Sequence, residues 1–211
     1  MADALKLNGN LLPFDQTKEW MAKSWEMKSD DGRSLERFAS AGGIQSIYAE
    51  ISGTELEALN TENIYPLQIS ELAKKGDKNA VATFTLVVEQ LSQLLYERIT
   101  TLYSGWQSIF SFMNANRAVL DPKHKFTGSL FEKIIIGQRL GELMQTAHGT
   151  DTLLKPLMKR LHQLIQDSTI LDKKAKTHYA NLEERIIISR LREAPALGAG
   201  IDAHQNYIEV E

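Results

Sequence analysis

The residues with the clearest chemical potential lie in one stretch, where an apolar run is followed at once by glycine. Ile134–Ile136 precedes Gly137, and apolar residues then recur at helical spacing over 140–144. This pattern predicts a short strand buried on both faces, a tight turn and a helix. In open α/β sheets such turns lie at the ligand-binding edge, and free amides at the helix start attract anions. The stretch is therefore a candidate nucleotide site, although similar turns also serve as plain connectors.

Other familiar catalytic patterns are missing from the sequence. The five histidines are scattered, and no pair has the i, i+4 spacing of a helical zinc site. The chain contains neither a GxxxxGK[ST] phosphate loop nor a GxGxxG fingerprint, and no serine sits in a nucleophile elbow. The residues alone therefore assign no catalytic side chain and no metal ligand.

Composition narrows the class of protein. The 211 residues include 24 basic and 27 acidic side chains, and the resulting net charge of −3 disfavours nucleic acid as a partner. The chain has no cysteine, which excludes disulfides and thiolate chemistry and is compatible with a reducing compartment. The N-terminus lacks the pattern of a secretory signal, and no apolar run is long enough for a membrane span. We therefore expect a cytoplasmic protein.

Strands are predicted at both ends of the chain. Asn8-Gly9 between alternating apolar residues indicates an opening β-hairpin, which must extend a larger sheet to be stable. A second isoleucine triplet, Ile186–Ile188, resembles the first, and helices separate the two. Parallel strands with helical crossovers follow from this order, so the fold class is α/β with a mixed sheet and flanking helices.

Helical patterns fill most of the remaining chain. Asp15 is expected to cap a helix that carries Trp20 and Trp25 on one side and extends toward Met27. A further helix should follow residues 41–43, which interrupt the pattern, and the longest should start near Asn79 and be divided or kinked at Gly105. Residues 54–66, 148–151 and 172–176 are interpreted as a surface connection, a break and a charged loop.

Four short blocks occur in an order that is typical of one family. They are residues 32–40 (GRSLERFAS), 75–80 (KGDKNA), 134–138 (IIIGQ) and 195–200 (PALGAG). Together they resemble the C-terminal lobe of ROK-type, glucokinase-like sugar kinases, within the actin-like (ribonuclease H-like, hexokinase-like) ATPase fold. The resemblance implies one lobe over residues 1–211, with a helical insertion at about 54–125.

The resemblance also implies a function and a set of site residues. It implies an ATP-dependent hexose kinase that uses Mg²⁺, in which Gly137, Gln138, Arg139 and Gly198 bind the nucleotide. Glu36 matches the glutamate that contacts sugar hydroxyls in this family. From the residues alone, Glu36 is equally well a surface residue in the first turn of a helix capped by Ser34.

This chain departs from the family pattern at several points. The zinc-binding cysteines are missing, Gln138 stands where the family has a second glycine, and no Asp-x-Gly-Gly-Thr phosphate loop or catalytic aspartate is found. We therefore expect a nucleotide-side lobe that is inactive without an N-terminal lobe. The alternative is a non-catalytic interaction module that keeps the kinase fold. Hexose, ATP, the missing lobe or a second copy of the chain are the expected partners, whereas nucleic acid and membrane are not.

Overall fold

The structure is a computed structural model that describes residues 5–7, 10–12 and 14–191. It is an α/β protein, as predicted, in which helices predominate and the strands are short. The strands are β1 (Leu5–Leu7), β2 (Asn10–Leu12), β3 (Met27–Lys28), β4 (Ser111–Phe112), β5 (Ile134–Ile136) and β6 (Ile186–Ile188). The helices are α1 (Phe14–Thr17), α2 (Leu35–Phe38), α3 (Ala41–Ser52), α4 (Leu56–Thr61), α5 (Pro66–Lys74), α6 (Lys78–Ser104), α7 (Gln138–Gln145), α8 (Ala147–Gly149), α9 (Lys155–Gln166) and α10 (Lys173–His178).

Helix α6 is the predicted long central helix. Its 27 residues span about 40 Å, and the Asp77 carboxylate accepts a hydrogen bond from the Ala80 amide at its start. The helix ends at Gly105, where φ is +84° and a Cβ atom would lie 1.6 Å from the carbonyl oxygen of Pro122. Gly105 therefore stops the helix and does not kink it, because only glycine fits this conformation and this contact.

Helices α3, α5 and α9 pack around α6 and form the main core with it. Leu157, Leu161 and Ile165 on the inner face of α9 are fully buried, whereas Met158 is half-buried. Arg160 on α9 forms a two-pronged ion pair with Glu89 on α6, with N···O distances of 2.7 and 2.8 Å. Because of this pair, the carboxyl pKa of Glu89 lies below its usual value. Apolar packing and one well-oriented ion pair thus hold α9 in place.

The two isoleucine triplets pair in parallel, as predicted, with Ile134 opposite Ile186. The expectation that both faces are buried is wrong. Side chains alternate across the strands, so Ile136 and Ile186 enter the core while Ile135 and Ile187 lie side by side on the other face. Ile135 is 67% exposed and Ile187 is 42% exposed. Within the described part of the chain, this face is therefore only partly covered.

The predicted single mixed sheet is not present among the described residues. The strands form three separate two-stranded sheets, β1–β2, β3–β4 and β5–β6. The opening hairpin is confirmed as an antiparallel pair with Leu5 opposite Leu12, but it extends no larger sheet. Instead Leu5 is buried in a small cluster with Trp20 and Leu102, so packing on α6 replaces strand pairing.

The tryptophan segment also differs from its prediction. Helix α1 ends at Thr17, and Asp15 lies within it rather than before it. Trp20 is buried, whereas Trp25 is half-exposed, so no common tryptophan face forms. Met27 belongs to strand β3. The helical spacing of these side chains is misleading because the pairing of β3 with β4 decides the local backbone.

Two segments predicted as loops are short helices. Residues 54–66 contain α4, which anchors one buried side chain, Leu59. Residues 172–176 begin α10, where the Asp172 carboxylate accepts a hydrogen bond from the Ala175 amide at 2.8 Å. Each helix is too short to show a periodic apolar pattern, so no helical signal is present in the sequence there.

Glycines that were interpreted as breaks serve close packing instead. Residues 41–43 form the first turn of α3, and a Cβ at Gly43 would lie 1.8 Å from the carbonyl oxygen of Arg37. At Gly149 a Cβ would lie 1.9 Å from the carbonyl oxygen of Leu143. The predicted break at 148–151 is absent, because the chain continues from α8 through a π turn, Thr150–Leu154, into α9.

Candidate functional site

A cavity of about 710 Å³ opens where β5, α3, α6 and α7 meet. Its floor is apolar and consists mainly of side chains from α6 and the start of α7. The residues of this floor are Leu91, Leu94, Leu95, Ile136 and Leu140. A cavity of this size and apolar character is typical of small-molecule sites.

The strand–turn–helix stretch forms one wall of the cavity. Gly137 has an extended backbone and precedes α7, whose first residue, Gln138, has a φ of +59°. That conformation favours glycine and is costly for a residue with a long side chain. Gln138 and Arg139 line the cavity, and their amides belong to the first turn of α7, which has no intrahelical acceptors for them. This wall therefore presents backbone donors and two long polar side chains.

A glycine in α7 brings the helix close to both strands. A Cβ at Gly141 would lie 2.9 Å from the carbonyl oxygen of Ile136 and 3.2 Å from that of Ser189. A larger residue would lift α7 away from the carboxyl ends of β5 and β6. Gly141 therefore allows α7 to pack closely against the carboxyl ends of β5 and β6, next to the cavity.

The opposite wall is the first turn of α3. Ser40, Ala41 and Gly42 line the cavity there, and the Ser40 hydroxyl accepts a hydrogen bond from the Gly43 amide at 3.0 Å. The amides of Ala41 and Gly42 belong to the first turn, which has no intrahelical acceptor for them. The cavity is therefore bordered by the positive ends of two helices, α3 and α7.

A buried charge network lies beside the apolar floor. Arg98 lines the cavity and is mostly buried, and its guanidinium donates to Glu97 at 2.6 Å. Glu97 is fully buried and also accepts a hydrogen bond from the Thr101 hydroxyl at 2.6 Å. Buried charges are expensive unless they are paired, so this pair holds Arg98 in a fixed position at the cavity.

The charged side chains that line the cavity are all basic. They are Arg98, Lys133 and Arg139, and within the described residues no carboxylate belongs to the lining. Lys133 donates to the carbonyl oxygen of Glu184, whereas exposed Arg139 forms no ion pair with any described residue. The Glu97 carboxylate balances the charge of Arg98, so the groups around the apolar floor that suit an anion with an apolar body are Lys133, Arg139 and the two positive helix ends.

Contacts with α10 hold the segment that leads into β5. Phe131, which lines the cavity, donates its amide to the Tyr179 hydroxyl at 2.8 Å. The carbonyl oxygen of Phe131 lies 2.9 Å from Nε2 of His178. Two neighbouring residues near the end of α10 thus hold both backbone polar groups of Phe131.

The structure brings together three of the residues predicted from the sequence. Gly137, Gln138 and Arg139 all line the cavity. Glu36 lies in the first turn of α2, is half-buried and does not belong to the lining. Ser34 occupies the N-cap position of α2, but its side chain makes no capping hydrogen bond. Gly198 lies outside the described residues.

Sequence reasoning did not find Arg98 or the first turn of α3. A signal for Arg98 existed, because Glu97 and Arg98 interrupt an otherwise apolar helical face. Adjacent opposite charges inside such a face indicate a buried pair, and buried pairs often lie at functional sites. The α3 turn had no such signal, because its glycines were taken for an interruption.

Magnesium, which the family resemblance implies, has no evident protein ligands here. Mg²⁺ prefers carboxylate oxygens, and the described cavity lining contains none. Elsewhere in the described ranges, no group of three histidine or acidic residues could hold a metal ion. The residues present therefore do not fit a metal held by the protein, and we assign no step to one.

Comparisons with models of known families, with curated proteins and with solved structures give no match to this chain. Among the described helices, none is both long enough and apolar enough to cross a membrane.

Proposed function

We propose that this chain is the nucleotide-side lobe of a ROK-type, ATP-dependent hexose kinase with an actin-like ATPase fold, and that it binds ATP in the cavity. The main support for the proposal is that the residues implied by the family resemblance lie at a cavity. Gly137, Gln138 and Arg139, chosen from sequence as nucleotide ligands, line a cavity whose charged side chains are all basic. Cofactor sites commonly combine an apolar surface with a few placed polar groups.

The two parts of ATP suit different parts of the cavity. The apolar floor offers a surface for the purine, whose transfer out of water is favourable. The phosphates, by contrast, need cations and backbone amides, which Lys133, Arg139 and the first turn of α3 can supply. In this proposal the chain binds and orients the nucleotide, and no residue in it is assigned the transfer step.

The hexose contact of Glu36 belongs to the same proposal. The carboxylate lies on α2, which leads directly into the first turn of α3 at the cavity wall. A carboxylate can accept paired hydrogen bonds from adjacent sugar hydroxyls. In the full kinase the sugar would thus lie on the α3 side and the purine on the α7 side.

Isothermal titration calorimetry with ATP in the presence of Mg²⁺ tests this proposal, with adenosine as a second ligand. We expect ATP to bind, and Arg139→Gln to weaken ATP by about tenfold or more, the usual loss for a charge-assisted hydrogen bond, while adenosine is unaffected. Lys159→Gln is the matched control, because it removes the same charge from an exposed position on α9. Absence of heat at millimolar ATP would refute nucleotide binding.

A second candidate is a non-catalytic interaction module that retains the fold. It is favoured by the open face of the β5–β6 pair, where Ile135 and Ile187 are exposed next to each other. Parallel strands are normally covered on both faces, so such a face is suited to a protein partner. If ATP does not bind while the chain associates through this face, this second function is the better one.

A further inference from the structure

Gln138 occupies an unusual position on the surface of the molecule. It lines the large cavity on one side, and on the other it lines a second cleft of about 320 Å³ at the carboxyl ends of β5 and β6. The second cleft is polar and is lined by Gln138, Glu142, Gln145, Thr146, Ser189 and Arg190. Gln138 is the residue that the two linings share.

The environment of Gln138 leaves its carboxamide available. The side chain is exposed and makes no hydrogen bond to another described residue. By contrast, the neighbouring Gln145 is engaged: its amide lies 3.3 Å from the carbonyl oxygen of Ser189, and its oxygen accepts from Arg190 at 3.1 Å. The one unengaged carboxamide in this region therefore lies at the junction of the two cavities.

The backbone at Gln138 adds a second argument. A φ of +59° is unfavourable for a residue with a side chain, whereas glycine accepts it freely. Within the described structure, the Gln138 side chain makes no hydrogen bond that would compensate for this unfavourable backbone conformation. Backbone strain that no contact within the protein compensates is typical of residues that bind a ligand.

We propose that Gln138 selects adenine, and that its carboxamide forms two hydrogen bonds with the adenine edge. A carboxamide presents one donor and one acceptor side by side, which matches the amino group and adjacent ring nitrogen of adenine. This inference rests on the proposed nucleotide-binding function. It also assigns a use to the side chain that stands where the resembling family has glycine.

Two substitutions separate the carboxamide from the backbone strain. Gln138→Met keeps a side chain of similar length and the strained backbone, but it loses both hydrogen-bonding groups. Gln138→Gly loses the same groups and relieves the strain. We expect Gln138→Gly to raise the midpoint of thermal unfolding by about 2–4 °C, and Gln138→Met to leave it unchanged.

Calorimetry on the full chain with ATP and with purine riboside triphosphate, which lacks the amino group, tests the contact. We expect both variants to bind ATP about 10–30-fold more weakly than the parent protein. The parent should prefer ATP to the purine analogue, and both variants should lose this preference. Loss of the preference in both variants, together with a stability gain in Gln138→Gly but not in Gln138→Met, would support the assignment.

Three distinguishable outcomes would overturn the inference. If the parent protein binds ATP and either variant binds it equally well, Gln138 is not the selecting residue, although the proposed function stands. If the variants lose affinity but the preference for the amino group persists, the contact lies elsewhere. Absence of ATP binding to the parent protein would instead overturn the proposed function and this inference together.

Discussion

Replacement of Tyr179 by phenylalanine offers a quantitative test of how the cavity wall is held. The Tyr179 side chain is fully buried, and its hydroxyl oxygen accepts the amide of Phe131. Burial raises the pKa of this phenol from 10 to about 12, against the lowering effects of the Phe131 amide and Arg185. The variant keeps the ring but removes both the acceptor and the ionisable group.

At neutral pH the variant should be less stable than the parent protein. The Phe131 amide loses its acceptor, and an unsatisfied donor in a partly buried position costs about 1–3 kcal/mol. The loss should be concentrated at the entrance to β5, since the contact of His178 with the Phe131 carbonyl remains. We therefore expect a lower urea midpoint with little change in the denaturant slope.

Alkaline pH should narrow the difference in stability between the two proteins. The folded state keeps the phenol protonated up to about pH 12, whereas the unfolded chain releases the proton near pH 10. Because the folded pKa is raised, the stabilisation is complete below pH 10 and is lost as pH rises toward 12. The rise of the Tyr179 pKa from 10 to about 12 corresponds to about 3 kcal/mol, and the parent protein should lose about half of this stabilisation by pH 11 relative to the variant.

Urea unfolding of both proteins at pH 8, 10, 11 and 12 measures this effect. Other alkaline changes, including those at Tyr48 and Tyr103, are common to the two proteins and cancel in the difference. The stability gap should narrow by about half of this amount at pH 11 and by most of it at pH 12, because the variant has no phenol to ionise at this position. A gap that stays constant from pH 8 to pH 12 would show that Tyr179 is not buried as described.

Two further experiments test the close packing at Gly43 and the open face of the β5–β6 pair. Gly43→Ala should destabilise the protein by about 2–4 kcal/mol in urea unfolding, because its methyl group would meet the Arg37 backbone. Gly42→Ala is the control and should leave the stability unchanged, because open space surrounds Gly42. Equal effects at the two positions would contradict the close contact at Gly43. The parent chain should self-associate through the open β5–β6 face, and Ile135→Thr with Ile187→Thr should make it monomeric by light scattering. A parent protein that is monomeric over a wide concentration range would refute this role of the face.

Elements with repeated, one-sided apolar patterns could be predicted from the sequence. Helix α6 and the inner face of α9 have such patterns, and the two isoleucine triplets predicted the parallel pair correctly. The strand, the turn at Gly137 and the following helix were also predicted correctly, because a β-branched run that ends in glycine marks a turn at a strand end. Nucleotide binding by Gly137, Gln138 and Arg139 stays a prediction. In these places local propensity and tertiary packing agree.

The remaining features depend on contacts between distant residues. Gly43 and Gly149 looked like breaks because glycine both ends helices and permits close packing, and only the neighbouring carbonyl oxygens distinguish the two roles. Met27 lies in a strand only because Phe112, far along the chain, pairs with it. The cavity itself has no sequence pattern, since Arg98 and the first turn of α3 reach it from separate elements.

The π turn at Thr150–Leu154 fixes the number of residues between two anchor points of the chain. Before α9, Asp151 forms ion pairs with Lys74 on α5 and with Lys155, and within α9, Arg160 pairs with Glu89 on α6. A π turn accommodates about one residue more than an α turn. Each residue added to or removed from an α-helix rotates its two ends relative to each other by about 100°. A chain one residue shorter here could keep Asp151 facing α5 or Arg160 facing α6, but not both, so this turn does not tolerate a change in length.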